Sequence, residues 1–478
     1  MLTQIANGDS RLSFWRRVRE FAVPPSMIET ATTRRLSGDW AGACAAAGVD
    51  LDLDLRSVAR MHGRGLTAQV RSDLRHLAPD LLRWHMPRIG PDGLLRPGLT
   101  LSLARYDAAG GSRARPVDLV ARTPPAWADA GQRISLALWD GSHSDAGAAR
   151  HPHPHPNLRF RLDLHRHLWD ARRTEELRSR SGADQLPADD SLGSLGWESE
   201  LSRLVPEERR CAVDRWAAEA AILIHAEGRP AGSVLVRLGT ARHRLVLDLV
   251  ADGGEAVAGV GPPALRIASV STDRGALELP ALPDAATWVL PDLELLRAGL
   301  IDADRLHPLV AAALVPGHAP AAVPSRPPDP AGRPRVVECR GAQHRIGLVD
   351  GVLAPLDHDP AEIRREELLA ALTGSPLPCL QAIDEAHRHP HCLSGVRERL
   401  DHGDTAGALA VVEGLLGPDA LLRDGALRDE LEAAALRRIT YGLYRAGLIG
   451  PGPTSGRMLP GRGRPRVRGA RRRHATFR

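Results

Sequence analysis

The chain has 478 residues, 63 basic and 58 acidic, and is 43% apolar but only 3% aromatic. Its length suits two to four domains at about 100–200 residues each. Every basic residue is arginine, so Schiff-base lysines, carboxylated-lysine metal bridges and P-loop lysines are excluded. The net charge of +5 belongs to the end of the chain. Residues 456–478 carry nine arginines and no acid, which leaves 54 Arg against 58 acidic residues elsewhere, a net −4. The basic character therefore describes a tail and not a binding face on the fold.

In chain order, residues 12–92 read as helical. Phe14, Val18 and Phe21 share one face, and Leu66, Val70, Leu74, Leu77 and Leu81 recur at helical spacing, with Pro79 ending or kinking that run. From 97 to 170 the period changes to two. The runs LTLSLARYD (99–107), PVDLVAR (116–122), RISLALWD (133–140) and LRFRLDLHRH (158–167) predict strands. Residues 171–196, charged and rich in Ser, Asp and Gly, predict an exposed loop. A helix over about 206–226 comes next, then a hairpin over 233–250 turning near Gly239, and helices around 291–313. Residues 315–334 hold seven prolines, a stiff linker. Residues 335–356 predict a small meander with Asp350–Gly351 as one turn. Asp359–Pro360 starts a helical region that runs to about 448.

The expected fold is therefore α+β. It comprises a helical N-terminal region (1–92), a β-rich region (93–170), an exposed loop (171–196), a mixed region (197–314), the Pro-rich linker (315–334), a meander plus helical C-terminal domain (335–450), and a disordered Arg-rich tail (451–478). One internal echo, GDWAGACAAAG (38–48) with GDTAGALAVVEG (403–414), reads as two helix starts capped by Asp. Cores of this composition are expected to rest on Leu, Val and Ala.

Few stretches suggest chemistry. HPHPHPNLRFRLDLHRHLWD (151–170) holds five histidines and two aspartates. His151, His153 and His155 alternate with proline in an extended segment, so their rings diverge. Beyond them, Asp163, His165 and His167 would project from one polar face of a half-buried strand. LDLHRHL is similar to the D-x-H-x-H strand of the amidohydrolase superfamily, and ILIHAEG around His225 resembles another metal-histidine segment of those enzymes. That resemblance implies a metal-activated water attacking a carbonyl or amidine carbon. Against it stand the missing lysines, the 57 residues between His167 and His225, and flanks that read β-β where a (β/α)8 barrel needs β-α. The favoured reading is a strand with a solvated His/Arg face.

CLQAIDEAHRHPHCL (379–393) gathers Cys379, His387, His389, His391 and Cys392. Zinc accepts such ligands, and four could converge across a helix–turn–helix. The alternative is a helix ending in histidine and stopped by Pro390. GDS at 8–10 lacks the strand–turn–helix setting of a serine nucleophile, and DHD at 357–359 reads as a helix cap. In the tail, Arg462, Gly463, Arg464, Pro465 and Arg466 are similar to an AT-hook core, in which arginines enter a narrow minor groove. The alternative is a disordered polycation that binds DNA or another polyanion through charge alone.

Five cysteines without a CxxC suit a reducing cytoplasm. No apolar leader or run of about 18 uncharged apolar residues occurs, so no membrane contact is expected. FWRRVREFAVPPSMIETAT, GDWAGACAAAG, DLRHLAPDLLRWHMPR, CLQAIDEAH and ITYGLYRAGL together resemble an uncharacterised family of high-GC actinobacterial proteins. The resemblance covers most of 12–448 and implies a cytoplasmic setting without a mechanism. The leading expectation is a non-catalytic interaction or scaffold protein that binds other proteins through its helical ends and needs no cofactor. A DNA-associated protein using the tail comes second, and a metal-dependent hydrolase at Asp163, His165 and His167 comes third.

Overall fold

The computed structural model describes residues 2–107, 116–129, 131–141, 151–184, 210–238, 244–251, 265–271, 279–318, 335–339, 341–349, 352–373, 377–388, 392–417 and 421–450. The fold is α+β, with helices at both ends and strands in the middle.

Five helices lie in the N-terminal region: α1 (Leu2–Phe21), α2 (Pro25–Leu36), α3 (Trp40–Ala46), α4 (Leu55–His76) and α5 (Pro79–His85). Their ends follow local chemistry. Pro25 and Pro79 occupy first helical positions, where the missing N–H costs nothing. Asp39 caps α3 through the Gly42 N–H at 2.8 Å, and Asp54 caps α4 through the Ser57 N–H at 3.0 Å. α4 is interrupted at Gly63, whose φ of +84° suits a residue without Cβ. Leu66, Val70 and Leu74 form its buried stripe.

The main sheet uses β1 (Val49–Leu51), β4 (Thr100–Tyr106), β5 (Val117–Arg122) and β6 (Ile134–Trp139) in the order β1-β6-β5-β4, while β2 (Arg88–Ile89) and β3 (Leu94–Leu95) make a separate hairpin. β1 runs parallel to β6, with Val49 opposite Ile134, and the remaining pairs are antiparallel. A strand inside residues 12–92 corrects the all-helical reading of that region. The alternation of Val49, Leu51 and Leu53 with Asp50, Asp52 and Asp54 signals it, but over too short a run to weigh against the helices around it.

A short helix α6 (Glu176–Ser181) precedes α7 (Val213–Ala226). α7 packs on an antiparallel sheet of β7 (Gly232–Arg237), β8 (Arg244–Ala251) and β9 (Leu265–Ser271), which includes the expected hairpin. Then come α8 (Asp284–Thr287), α9 (Pro291–Arg297) and α10 (Pro308–Leu314). The last two return Leu295 and Val310 to the N-terminal core, where neither is exposed. The meander of β10 (Arg335–Cys339), β11 (Ala342–Val349) and β12 (Val352–Pro355) leads to α11 (Pro360–Thr373), α12 (Pro378–Arg388), α13 (Leu393–Asp401), α14 (Thr405–Leu416) and α15 (Ala426–Ala446), around a third core. Asp404 caps α14 through the Gly407 N–H at 2.9 Å, just as Asp39 caps α3, so the internal echo is a repeated cap. Asp350, Gly351, Gly239 and residues 319–334 lie outside the described residues.

Two expectations along 158–184 are corrected. Residues 158–167 form successive turns and no strand, with Phe160 N–H bonded to Asn157 O and His165 N–H to Leu162 O, before a 3-10 turn at Arg166–Leu168. The apolar alternation is real, but the segment buries polar as well as apolar side chains. Phe160, Leu162 and Trp169 are buried, and so are Arg161, His165, His167 and Asp170. Residues 176–181 are helical over a buried Leu177, so 171–184 is not a loose exposed loop. The cores also depart from a purely aliphatic reading, because Trp84, Trp169 and Trp216 are the largest fully buried side chains.

Candidate metal centre

The sequence offers two metal sets; the first is drawn into other contacts, and the second is described only in part. Asp163 turns to Arg161, accepting from its Nη2 at 2.7 Å, and Arg161 also donates to Glu227 at 3.0 Å. His165 holds the Arg161 carbonyl through Nδ1 at 2.9 Å. Its Nε2 lies 3.2 Å from Glu219 Oε2, close enough for an ion pair but outside hydrogen-bond geometry. Glu219 is also held by Arg180 Nη2 at 2.6 Å. These partners hold its carboxyl down at about 2 despite its burial. His167 points elsewhere, its buried Nδ1 without a hydrogen bond. The solvated His/Arg face is therefore a buried ion-pair network, and His225 is exposed in the last turn of α7.

In the second set, Cys379 sits in the first turn of α12 and His387 two turns further on, about 12 Å along the axis at 1.5 Å per residue. Cys392 stands half-buried at the start of α13. His389, His391 and the AT-hook-like Arg462, Gly463, Arg464, Pro465 and Arg466 lie outside the described residues.

Cys379 instead meets two residues from the meander. Cys339 closes β10, and His358 follows β12. The donor atoms of Cys339, His358 and Cys379 all lie within 4.8 Å of one another, and this Cys-His-Cys group could hold a metal ion. Local chemistry builds it. The antiparallel register from Arg335–Ile346 to Cys339–Ala342 carries Cys339 to the hairpin end. Asp357 accepts from the Arg345 backbone at 2.7 Å and from its guanidinium at 2.6 Å, which pins the turn carrying His358 onto β11. Pro378 starts α12 and sets Cys379 beside that turn.

Both cysteines are buried, and the His358 side chain is 4% exposed. Zn–S and Zn–N bonds of about 2.3 and 2.0 Å place tetrahedral ligands about 3.5 Å apart, and Cys379 Sγ lies 3.6 Å from His358 Nε2. The other ring nitrogen of His358 lies 3.8 Å from Glu362 Oε2, near but beyond hydrogen-bond distance. Burial and the neighbouring Cys339 thiol push Cys379 up to about 11. A divalent cation between the two sulfurs would reverse that preference by favouring the thiolates. His344 stacks on His358 at 4.1 Å between centroids, with a buried Nδ1 that has no hydrogen bond.

Sequence reading missed Cys339 and His358 as ligands. Their spacing to Cys379 follows no short motif, and only the path of the meander brings them together. Among the described residues, no helix is long and apolar enough to cross a membrane. Comparison with protein-family models, with curated proteins and with solved structures finds no match for this chain.

Proposed function

We propose that the chain is a non-catalytic interaction protein whose C-terminal region is clasped by one zinc ion on Cys339, His358 and Cys379. The observation that carries the reading is the convergence of two buried thiols and an oriented imidazole from three separate elements. Zinc suits this donor set because it takes sulfur and nitrogen together in a tetrahedron. The three residues leave the fourth tetrahedral position to a water or other exchangeable ligand. The clasp would tie the meander to α12 and so set the angle of the helices that follow. Among those, α15 presents Leu436, Ile439 and Leu443 on one helical face, 44%, 59% and 37% exposed, an apolar stripe suited to another protein. The proposed setting is the cytoplasm, where the five free cysteines stay reduced.

Metal analysis of the purified, untagged chain tests the clasp. About one zinc per chain is expected. Cys339→Ser and Cys379→Ser should each remove it, while Cys392→Ser should retain it. A wild-type protein with well under one zinc per chain after purification in zinc-supplemented buffer would refute the clasp. The interaction half is tested with Leu436→Arg/Ile439→Arg. This variant should keep its zinc and far-UV circular dichroism but lose any protein that co-purifies with wild type.

A further inference from the structure

Against the far side of the 158–168 segment lies a cavity of about 700 Å³, bounded by α1, the end of α5, the β2–β3 hairpin, α6 and residues 284–291. This falls within the range of about 300–1,000 Å³ usual for small-molecule sites. Its lining is unlike the rest of the chain. Phe14, Trp15, Trp84, Phe160 and Trp288 face it, five of the sixteen aromatic residues in a chain that is only 3% aromatic. Seven arginines line it as well, against a single carboxylate, Asp284.

Five of these arginines are already neutralised. Arg11 pairs with Glu294, Arg19 with Asp292, Arg159 with Asp284, Arg161 with Asp163 and Arg180 with Glu219. Arg88 and Arg96, from the two arms of the hairpin, have no carboxylate within 4.0 Å among the described residues. Arg88 gives its two terminal nitrogens to the carbonyls of Gly93 at 2.9 Å and Arg83 at 2.8 Å, and its Nε is buried with no acceptor. Burial and the charges of Arg83 and Arg19 push its pKa well down, as expected of a cation lacking its counter-ion.

Two histidines that line this cavity hold buried ring nitrogens without hydrogen bonds. His85 Nε2 is buried without a hydrogen bond, its side chain 3% exposed and Asp292 Oδ2 3.7 Å away. His167 Nδ1 is likewise orphaned, in a residue 4% exposed. Burial lowers both imidazoles, His85 to about 4, so each is neutral at neutral pH, and because His85 Nδ1 donates to the Leu168 carbonyl at 3.0 Å its Nε2 is left an acceptor. The pull on an anion therefore rests on Arg88 and Arg96, the two lining arginines without a carboxylate among the described residues.

We propose that this cavity binds a small organic phosphate with a planar ring, of the size and chemistry of a nucleotide. The phosphate sits against Arg88 and Arg96. The ring lies against Trp15 and Phe160. An arginine fork matches phosphate oxygens, and the aromatic walls take a flat body by stacking. The site is separate from the proposed zinc clasp and does not depend on it.

Calorimetric titration of the full-length protein with ADP, adenosine, pyrophosphate and citrate tests the assignment. ADP should bind, with adenosine and pyrophosphate each about tenfold weaker or more, because each satisfies half of the site. Arg96→Ala, at an exposed position that the fold tolerates, should weaken ADP by about tenfold or more. Arg88→Met should weaken it further, and Trp15→Ala should weaken ADP but not pyrophosphate. Three results would overturn the proposal: no binding of either ADP or pyrophosphate at about 1 mM, ADP binding unchanged by Arg96→Ala, or citrate binding more tightly than ADP.

Discussion

Replacing Arg83 with methionine tests how the two ends of the chain are joined. Arg83, on α5, is 1% exposed. Its Nε donates to the Ala22 carbonyl at 2.9 Å, Nη1 to the Gln132 carbonyl, and Nη2 to the His402 carbonyl at 2.6 Å across 319 positions of sequence. Two effects oppose each other in Arg83→Met. Three buried carbonyls lose a charged donor, at about 1–3 kcal/mol each. Against this, the variant no longer buries a cation. Burial and the nearby Arg133 lower the Arg83 pKa from 12.5 to about 10. That lowering corresponds to about 3 kcal/mol returned. The orphaned carbonyls win, and the expected net loss is about 3 kcal/mol. Arg83→Lys should fall between the two, since one ammonium cannot fork to three carbonyls. Urea unfolding followed by tryptophan fluorescence and by far-UV circular dichroism measures the loss, with the exposed Arg64→Met as a surface control expected within about 0.5 kcal/mol of wild type. Amide exchange should also accelerate around residues 400–404, where the His402 carbonyl is held. If Arg83→Met proves as stable as Arg64→Met, the guanidinium is not what couples these segments.

Gly403 has φ +86°, and a Cβ there would meet the Gly131 carbonyl oxygen at 2.1 Å. Gly403→Ala should therefore cost about 2–4 kcal/mol, read as a lowered melting temperature, whereas Gly414→Ala, where a Cβ meets open space, should not destabilise. Glu219, lowered from 4.5 to about 2, contributes stability that is present above pH 4.5 and fades as pH falls towards 2. The full contribution is about 3 kcal/mol, with about 2 kcal/mol gone by about pH 3. Glu219→Gln should flatten that acid limb in urea titrations. It should leave untouched the higher limb from His85 and His402, whose pKa values near 4 and 3 draw stability down as pH drops below 6.5.

Helix ends and the meander were legible because their signals are local. Pro360 opens a helix, and Asp39 and Asp404 cap theirs, as Pro and Asp positions predict, whereas Pro79, read as ending or kinking a run, opens α5. The 158–167 segment misled because alternation reports only which side chains are apolar. It does not show that Arg161, His165 and Asp170 would also be buried through ion pairs and hydrogen bonds with residues such as Glu227, Glu219 and Arg172. The Cys339–His358–Cys379 group was illegible for a different reason. Cys339 and His358 are brought to Cys379 by hairpin register and by the Arg345–Asp357 clamp, neither of which leaves a spacing rule in the sequence.

The edge of the main sheet is finished late. Asp50 on β1 takes a hydrogen bond from the Tyr441 hydroxyl at 2.6 Å, 391 positions away, and an ion pair from Arg445 at 2.9 Å. At a synthesis rate of about 5–20 residues per second, about 20–80 s pass between the emergence of these partners from a ribosome. Throughout that interval β1 is an open strand edge, the kind of surface on which nascent chains can pair with one another, where Arg133 already holds Asp50 at 2.6 Å and Asp52 still lacks Arg445. Its aspartates keep that edge charged while it waits, and α15 then covers the same charges. The acids that read as a short alternating pattern near the start of the chain thus guard an unfinished sheet first and anchor the last helix afterwards.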